Sequence, residues 1–141
     1  MTSPSSLDLS RISDPSAFLD EVMRRDFVSF LLRVFPYIRG GADLLPNWHL
    51  DAIAYQLQRI RRCECNRLLV TLPPRNLKSM MISVAWVAWC LGQDPSLNFV
   101  CVSYSNELSG KHARDCRAVI QADWYRRLFP RTIVKSARSA A

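Results

Sequence analysis

Apolar residues first recur at helical spacing after Asp14-Pro15, at Phe18, Val22, Phe27, Leu31 and Val34, and predict one helix running to Phe35. Asp14 is placed to cap it with its carboxylate, and Pro15 to take the first helical position, where a missing N–H costs nothing. Gly40-Gly41 closes this region. Leu45-Pro46-Asn47 then leads into a second helix, with Asn47 as its cap and Leu50, Ile53, Ala54, Leu57 and Ile60 as an apolar stripe. Arg59, Arg61 and Arg62 crowd its last turn, where cations complement the helix dipole.

The period then changes. Arg67 to Leu72, RLLVTL, is short, apolar and partly β-branched, is stopped by Pro73-Pro74, and predicts a buried strand. Asn76 to Gly92 predicts a helix that is apolar on nearly every face, with Gly92 as terminator. Asn98 to Tyr104, NFVCVSY, predicts a second buried strand, Glu107 to Leu128 another helical stretch, and Thr132 to Val134 the start of a further strand. Strand, helix, strand, helix in that order implies right-handed crossovers and the α/β class, a parallel sheet flanked by helices. Residues 1–12, Ser-rich and polar, read as a flexible lead-in, 13–131 as one folded unit and 132–141 as a tail.

Composition sharpens this picture. With 49% hydrophobic and 22% charged residues among 141, the chain has the balance of one globular domain. The net charge is +7, and all but Lys78, Lys111 and Lys135 of the 19 basic residues are arginine. Arginine's planar fork suits phosphate, so nucleotide or nucleic acid are natural partners, against the plainer alternative of a solvated basic surface. The five cysteines, Cys63, Cys65, Cys90, Cys101 and Cys116, follow no secretory signal and show no usual zinc spacing. They read as reduced thiols, which fits a cytoplasmic protein. The longest apolar run, Met80 to Leu91, falls short of the roughly 18 to 20 residues that span a bilayer, so no membrane association is expected.

The segment with chemical content is Leu68 to Ser83, LLVTLPPRNLKSMMIS, where an apolar run passes through a tight turn into a helix with Lys-Ser at the junction. Backbone N–H groups at a helix start can surround phosphate oxygens, aided by the dipole. Lys78 would reach the β and γ phosphates and the Ser79 hydroxyl would ligate magnesium. Against GxxxxGK[ST], only Lys78 and Ser79 match, since Leu72 and Leu77 stand at the glycines. Leucine at the second of these meets a steric cost wherever φ is positive. An ordinary turn with an exposed Lys and Ser is the alternative.

NWHLDAIAYQL, RLLVTLPPRNLKS and LGQDPSLNFVCVSYSNELSGKHARDCRAVIQADWYRRLFP, in that order, resemble the N-terminal ATPase region of phage large terminases over about residues 16 to 131. Similar proteins carry a PPRxxKS loop, commonly with His-Gly where this chain has Asn76-Leu77. The resemblance implies an ASCE-type P-loop ATPase fold and an ATP-driven motor that packages double-stranded DNA. It implies a phosphate loop at Pro74, Arg75, Asn76, Leu77, Lys78 and Ser79, with ATP and Mg2+ as cofactors. In that loop Arg75 and Lys78 would be catalytic, Arg75 neutralising charge on the transferring phosphoryl group. Trp48 and His49 match an adenine-holding pair, by stacking and by hydrogen bonding at the base edge. The partners implied are the terminase small subunit, the portal protein and further copies of the chain.

A motor of this kind also needs an acidic pair after another apolar strand. None of the twelve acids forms one, since Asp20-Glu21 lies in the first helix. The expectation is therefore an N-terminal part of such a motor, with a partial nucleotide site, the nuclease carboxylates beyond Ala141, and little hydrolysis on its own. Two alternatives stand beside it: a basic nucleic-acid-binding or adaptor protein without nucleotide, supported by Leu77, and another P-loop ATPase such as half of a helicase; Lys111, His112, Arg114 and Arg117 along one helix would touch DNA or a neighbouring subunit, or form a solvated face.

Overall fold

The computed structural model describes residues 14–73 and 77–133, and the elements follow from local chemistry. Helix α1 spans Pro15–Arg25, with Asp14 accepting the Ser16 N–H at 2.8 Å and Pro15 at the first helical position. Helix α2 spans Phe27–Ile38. The one helix expected from Asp14 to Phe35 is two, because Asp26 interrupts it with extended backbone. Its N–H closes α1 on the Val22 carbonyl at 2.8 Å, and its carboxylate caps α2 by accepting the Ser29 N–H at 2.7 Å. A short carboxylate competes well for free N–H groups at a helix start, so apolar spacing alone does not reveal the break. Gly40 and Gly41, at φ 65° and 92°, turn the chain out of α2 as expected.

Helix α3 spans Trp48–Arg61 after Asn47, whose side chain makes no capping bond. Its stripe Leu50, Ile53, Ala54 and Leu57 is buried. The next helical run extends from 78 to 93. Its first part, Met80–Trp86, has π-helical geometry and continues into α4, Val87–Gln93. Gly92 therefore lies inside this helix and does not terminate it. Helix α5 spans Asn106–Gln121, and α6 spans Asp123–Leu128, so the helical stretch expected from Glu107 to Leu128 is divided at Ala122.

Aromatic rings tie these helices into one core. Phe27 meets Trp86 edge-on at 4.9 Å, Trp86 stacks on Trp89 at 5.5 Å, and Tyr125 lies 5.1 Å from Phe129. Fully burying one such side chain contributes about 1.5–3 kcal/mol. Their polar ends are satisfied across elements: the Trp89 indole donates to the Met23 carbonyl at 2.9 Å, and the Tyr125 hydroxyl to the Ala88 carbonyl at 2.7 Å. Arg24 and Gln93 side chains add bonds to the Leu128 and Arg24 carbonyls.

The α/β expectation, the parallel sheet of an ASCE-type P-loop ATPase flanked by helices, is overturned: the described residues form helices and no strand. The runs at 67–72 and 98–104 lie on helices without joining a ladder. Leu68, Val70 and Leu72 pack toward the core while Leu69 stands out, a period of two. Leu97, Phe99 and Cys101 line a cavity against α4 and α5, while Val100, Val102 and Tyr104 are 89%, 90% and 94% exposed. β-Branched runs encode an extended backbone locally, but a sheet also requires a neighbour, and no hydrogen-bond ladder supplies one among the described residues. Residues 132–133 are likewise irregular, and Val134 lies outside the described residues.

Candidate nucleotide site

Two described residues other than glycine have positive φ, Cys63 after α3 and Leu77 just before Lys78, both at 59°. Leu77 has φ 59°, in the left-handed region, and its carbonyl accepts the Met81 N–H at 2.8 Å to open the following helix. This conformation costs a leucine about 1–2 kcal/mol, and such outliers gather at ligand-binding turns. The chain therefore adopts, with a leucine, the backbone that a glycine would adopt without strain. Lys78, half-buried, and Ser79, exposed, open the helix directly after it. Pro74, Arg75 and Asn76 lie outside the described residues, so the charge-neutralising role expected of Arg75 has no geometry here.

Leu77, Ser79 and Met80 line a cavity of about 230 Å³ with Arg39, Lys111 and His112. Two cations and an imidazole thus stand around the start of the helix. Lys111 also pairs with Asp115 at 2.5 Å, one turn along α5, which shares part of its charge. Sequence reasoning misses Arg39, since it follows the end of α2 and no spacing ties it to the turn. Lys111 and His112 stand out in the sequence only as part of a charged helix face. Arg114 and Arg117 are exposed on the same helix.

A second groove, of about 250 Å³, is lined by Trp48, His49 and Gln56 of α3 and by Leu68 to Leu72 of the segment that follows it. Trp48 is 78% exposed and its ring meets that of His49 edge-on at 6.3 Å. The His49 Nε2 atom is buried with no hydrogen-bond partner among the described residues. An unpaired buried imidazole nitrogen is costly, and a ligand atom that fills it recovers the loss. Together an open indole face, an apolar floor at Ile53, Val70 and Leu72, and an orphaned imidazole nitrogen suit a flat heteroaromatic ring. Gln56 lies two helical turns beyond His49 on the same face, a spacing that could have identified it. Its amide oxygen accepts from Arg59 at 3.2 Å.

Trp48 and His49 are brought together, as are Leu77 and Ser79, but the two pairs line cavities that share no residue among the described ones. Among the described residues no group of three or more His, Cys, Asp or Glu side chains could hold a metal, so magnesium would rest on the Ser79 hydroxyl and on nucleotide phosphates. In the run Ser103-Tyr104-Ser105, the last residue is structural, since its hydroxyl caps α5 by accepting the Leu108 N–H at 3.2 Å. No described helix is long and apolar enough to cross a membrane. No family model, curated protein or solved structure matches this chain.

Proposed function

We propose that this chain is an N-terminal part of a large terminase subunit, the ATP-driven motor of phage DNA packaging, and that it carries two portions of a partial nucleotide site. The purine would lie against Trp48 and His49, and the phosphates at the Leu77–Lys78–Ser79 turn, with Mg2+ on Ser79. The observation that carries this reading is the left-handed backbone at Leu77. A leucine held there directly before Lys-Ser marks a turn whose shape is kept at a cost, as a phosphate cradle requires. The His49 nitrogen, without a partner among the described residues and beside an exposed indole, supports the base end. Double-stranded DNA, the small subunit, the portal protein and other copies of the chain are the partners this reading assigns.

The test is calorimetric titration of the folded protein with magnesium-ATP, beside Lys78→Ala and Trp48→Ala. Saturable binding weakened by about tenfold or more in each variant is the expected result, since a charge-assisted contact at Lys78 contributes about 1.5–3 kcal/mol and a base stacked on Trp48 about 1–3 kcal/mol. Absence of binding by the folded protein would leave a basic nucleic-acid-binding role, favoured by the exposed cations of α5 and read by titration with duplex DNA.

A further inference from the structure

A cleft of about 470 Å³ opens between α1, α2 and α6, away from the residues assigned to nucleotide. Its walls are mostly apolar, from Leu19, Val22, Met23 and Leu32, and Leu19 and Leu32 leave much of their surface open to water. Its polar end is unusual. Trp124 lines the cleft and is only 9% exposed, yet its indole N–H has no acceptor among the described residues. The Arg33 guanidinium lies over the same ring, 5.6 Å from its centroid, and forms no ion pair among the described residues. Stacking occupies the face of a guanidinium and leaves its N–H edge available.

The cleft also contains a carboxylate, which by itself would repel an anion. Asp20, 6% exposed, is answered by Arg127, whose Nε and Nη2 atoms lie 3.0 and 3.4 Å from its two oxygens. With that pair neutral, Arg33 leaves the cleft a net positive charge beside a buried, unsatisfied donor. A neutral apolar ligand would leave the indole N–H unpaired, and a cation would meet Arg33. A ligand with an anionic acceptor head and an apolar body satisfies both ends.

We propose that this cleft binds a small amphiphilic carboxylate, its head accepting from the Arg33 guanidinium edge and the Trp124 indole N–H and its aliphatic body covering Leu19 and Leu32. This site is independent of the nucleotide reading, since it shares no residue with that site.

Titration calorimetry with sodium octanoate and, as a neutral match, 1-octanol tests the assignment on the whole chain. Octanoate is expected to bind saturably and at least about tenfold more tightly than octanol, the worth of a charge-assisted contact. Arg33→Gln, at an exposed position, should abolish that preference without disturbing the fold, and Trp124→Phe should weaken octanoate about tenfold, as loss of a hydrogen bond to a charged acceptor does. Equal affinity for the two ligands, unchanged octanoate binding by Arg33→Gln, or no binding at millimolar octanoate would each overturn the proposal.

Discussion

At the scale of single residues, Leu77 separates backbone demand from side-chain identity. Its φ of 59° costs about 1–2 kcal/mol, but glycine there gives back about 0.5–1 kcal/mol in chain entropy, and the half-buried leucine also packs on the core. Leu77→Gly should therefore leave stability within about 1 kcal/mol, while Leu77→Ile, β-branched at positive φ, should lose more than about 1 kcal/mol. Urea denaturation of the three proteins checks the order, and equal stability of the leucine and isoleucine forms would refute a left-handed backbone. Tyr125→Phe tests a different demand. It leaves the Ala88 carbonyl without the donor it has at 2.7 Å and should cost about 1–2 kcal/mol by the same measurement. The steric problem at Leu77 is visible in the sequence because the Lys-Ser beside it fixes the register. The orphaned nitrogen of His49 is not, since it depends on what the fold fails to bring near it.

At the scale of elements, the apolar stripe of α3 and the caps at Asp14 and Gly40-Gly41 are legible because they depend on neighbours along the chain. The break at Asp26 is hidden, since Phe18 and Val22 before it and Phe27, Leu31 and Val34 after it recur near helical spacing across it. Gly92 shows a further limit. Its sequence position suggests a stop signal, but its role is clearance, because a Cβ there would land on the Phe129 ring. Gly92→Ala is expected to push that buried ring aside and to lower stability by about 1–3 kcal/mol, visible as a depressed thermal midpoint. The runs at 67–72 and 98–104, whose pattern predicts strands, form neither strand nor sheet. Alternation encodes a conformation, whereas pairing depends on long-range partners that no local pattern specifies.

At the scale of the whole molecule, the core sets a pH limit. Burial pushes the Cys90 thiol up to about 12 and that of Cys116 up to about 11, and it raises the Tyr125 phenol as well. The folded state thus holds these protons more tightly than the unfolded chain, where a thiol titrates near 9. Their contribution is complete below pH 9 and is lost as pH rises toward 11 to 12, at up to about 1.4 kcal/mol per group per pH unit. Urea midpoints should fall between pH 8.5 and about 11, and Cys90→Ala should flatten that fall. The unpaired stretch from Asn98 to Tyr104 has a further consequence, in time. Its backbone N–H groups form no backbone hydrogen bond among the described residues, so they should exchange with deuterated water at nearly free-chain rates while the amides of α2 and α5 stay protected. That contrast makes the stretch a native reporter: any molecule that pairs with it would slow its exchange, and the labelling pattern would register the encounter without an added probe.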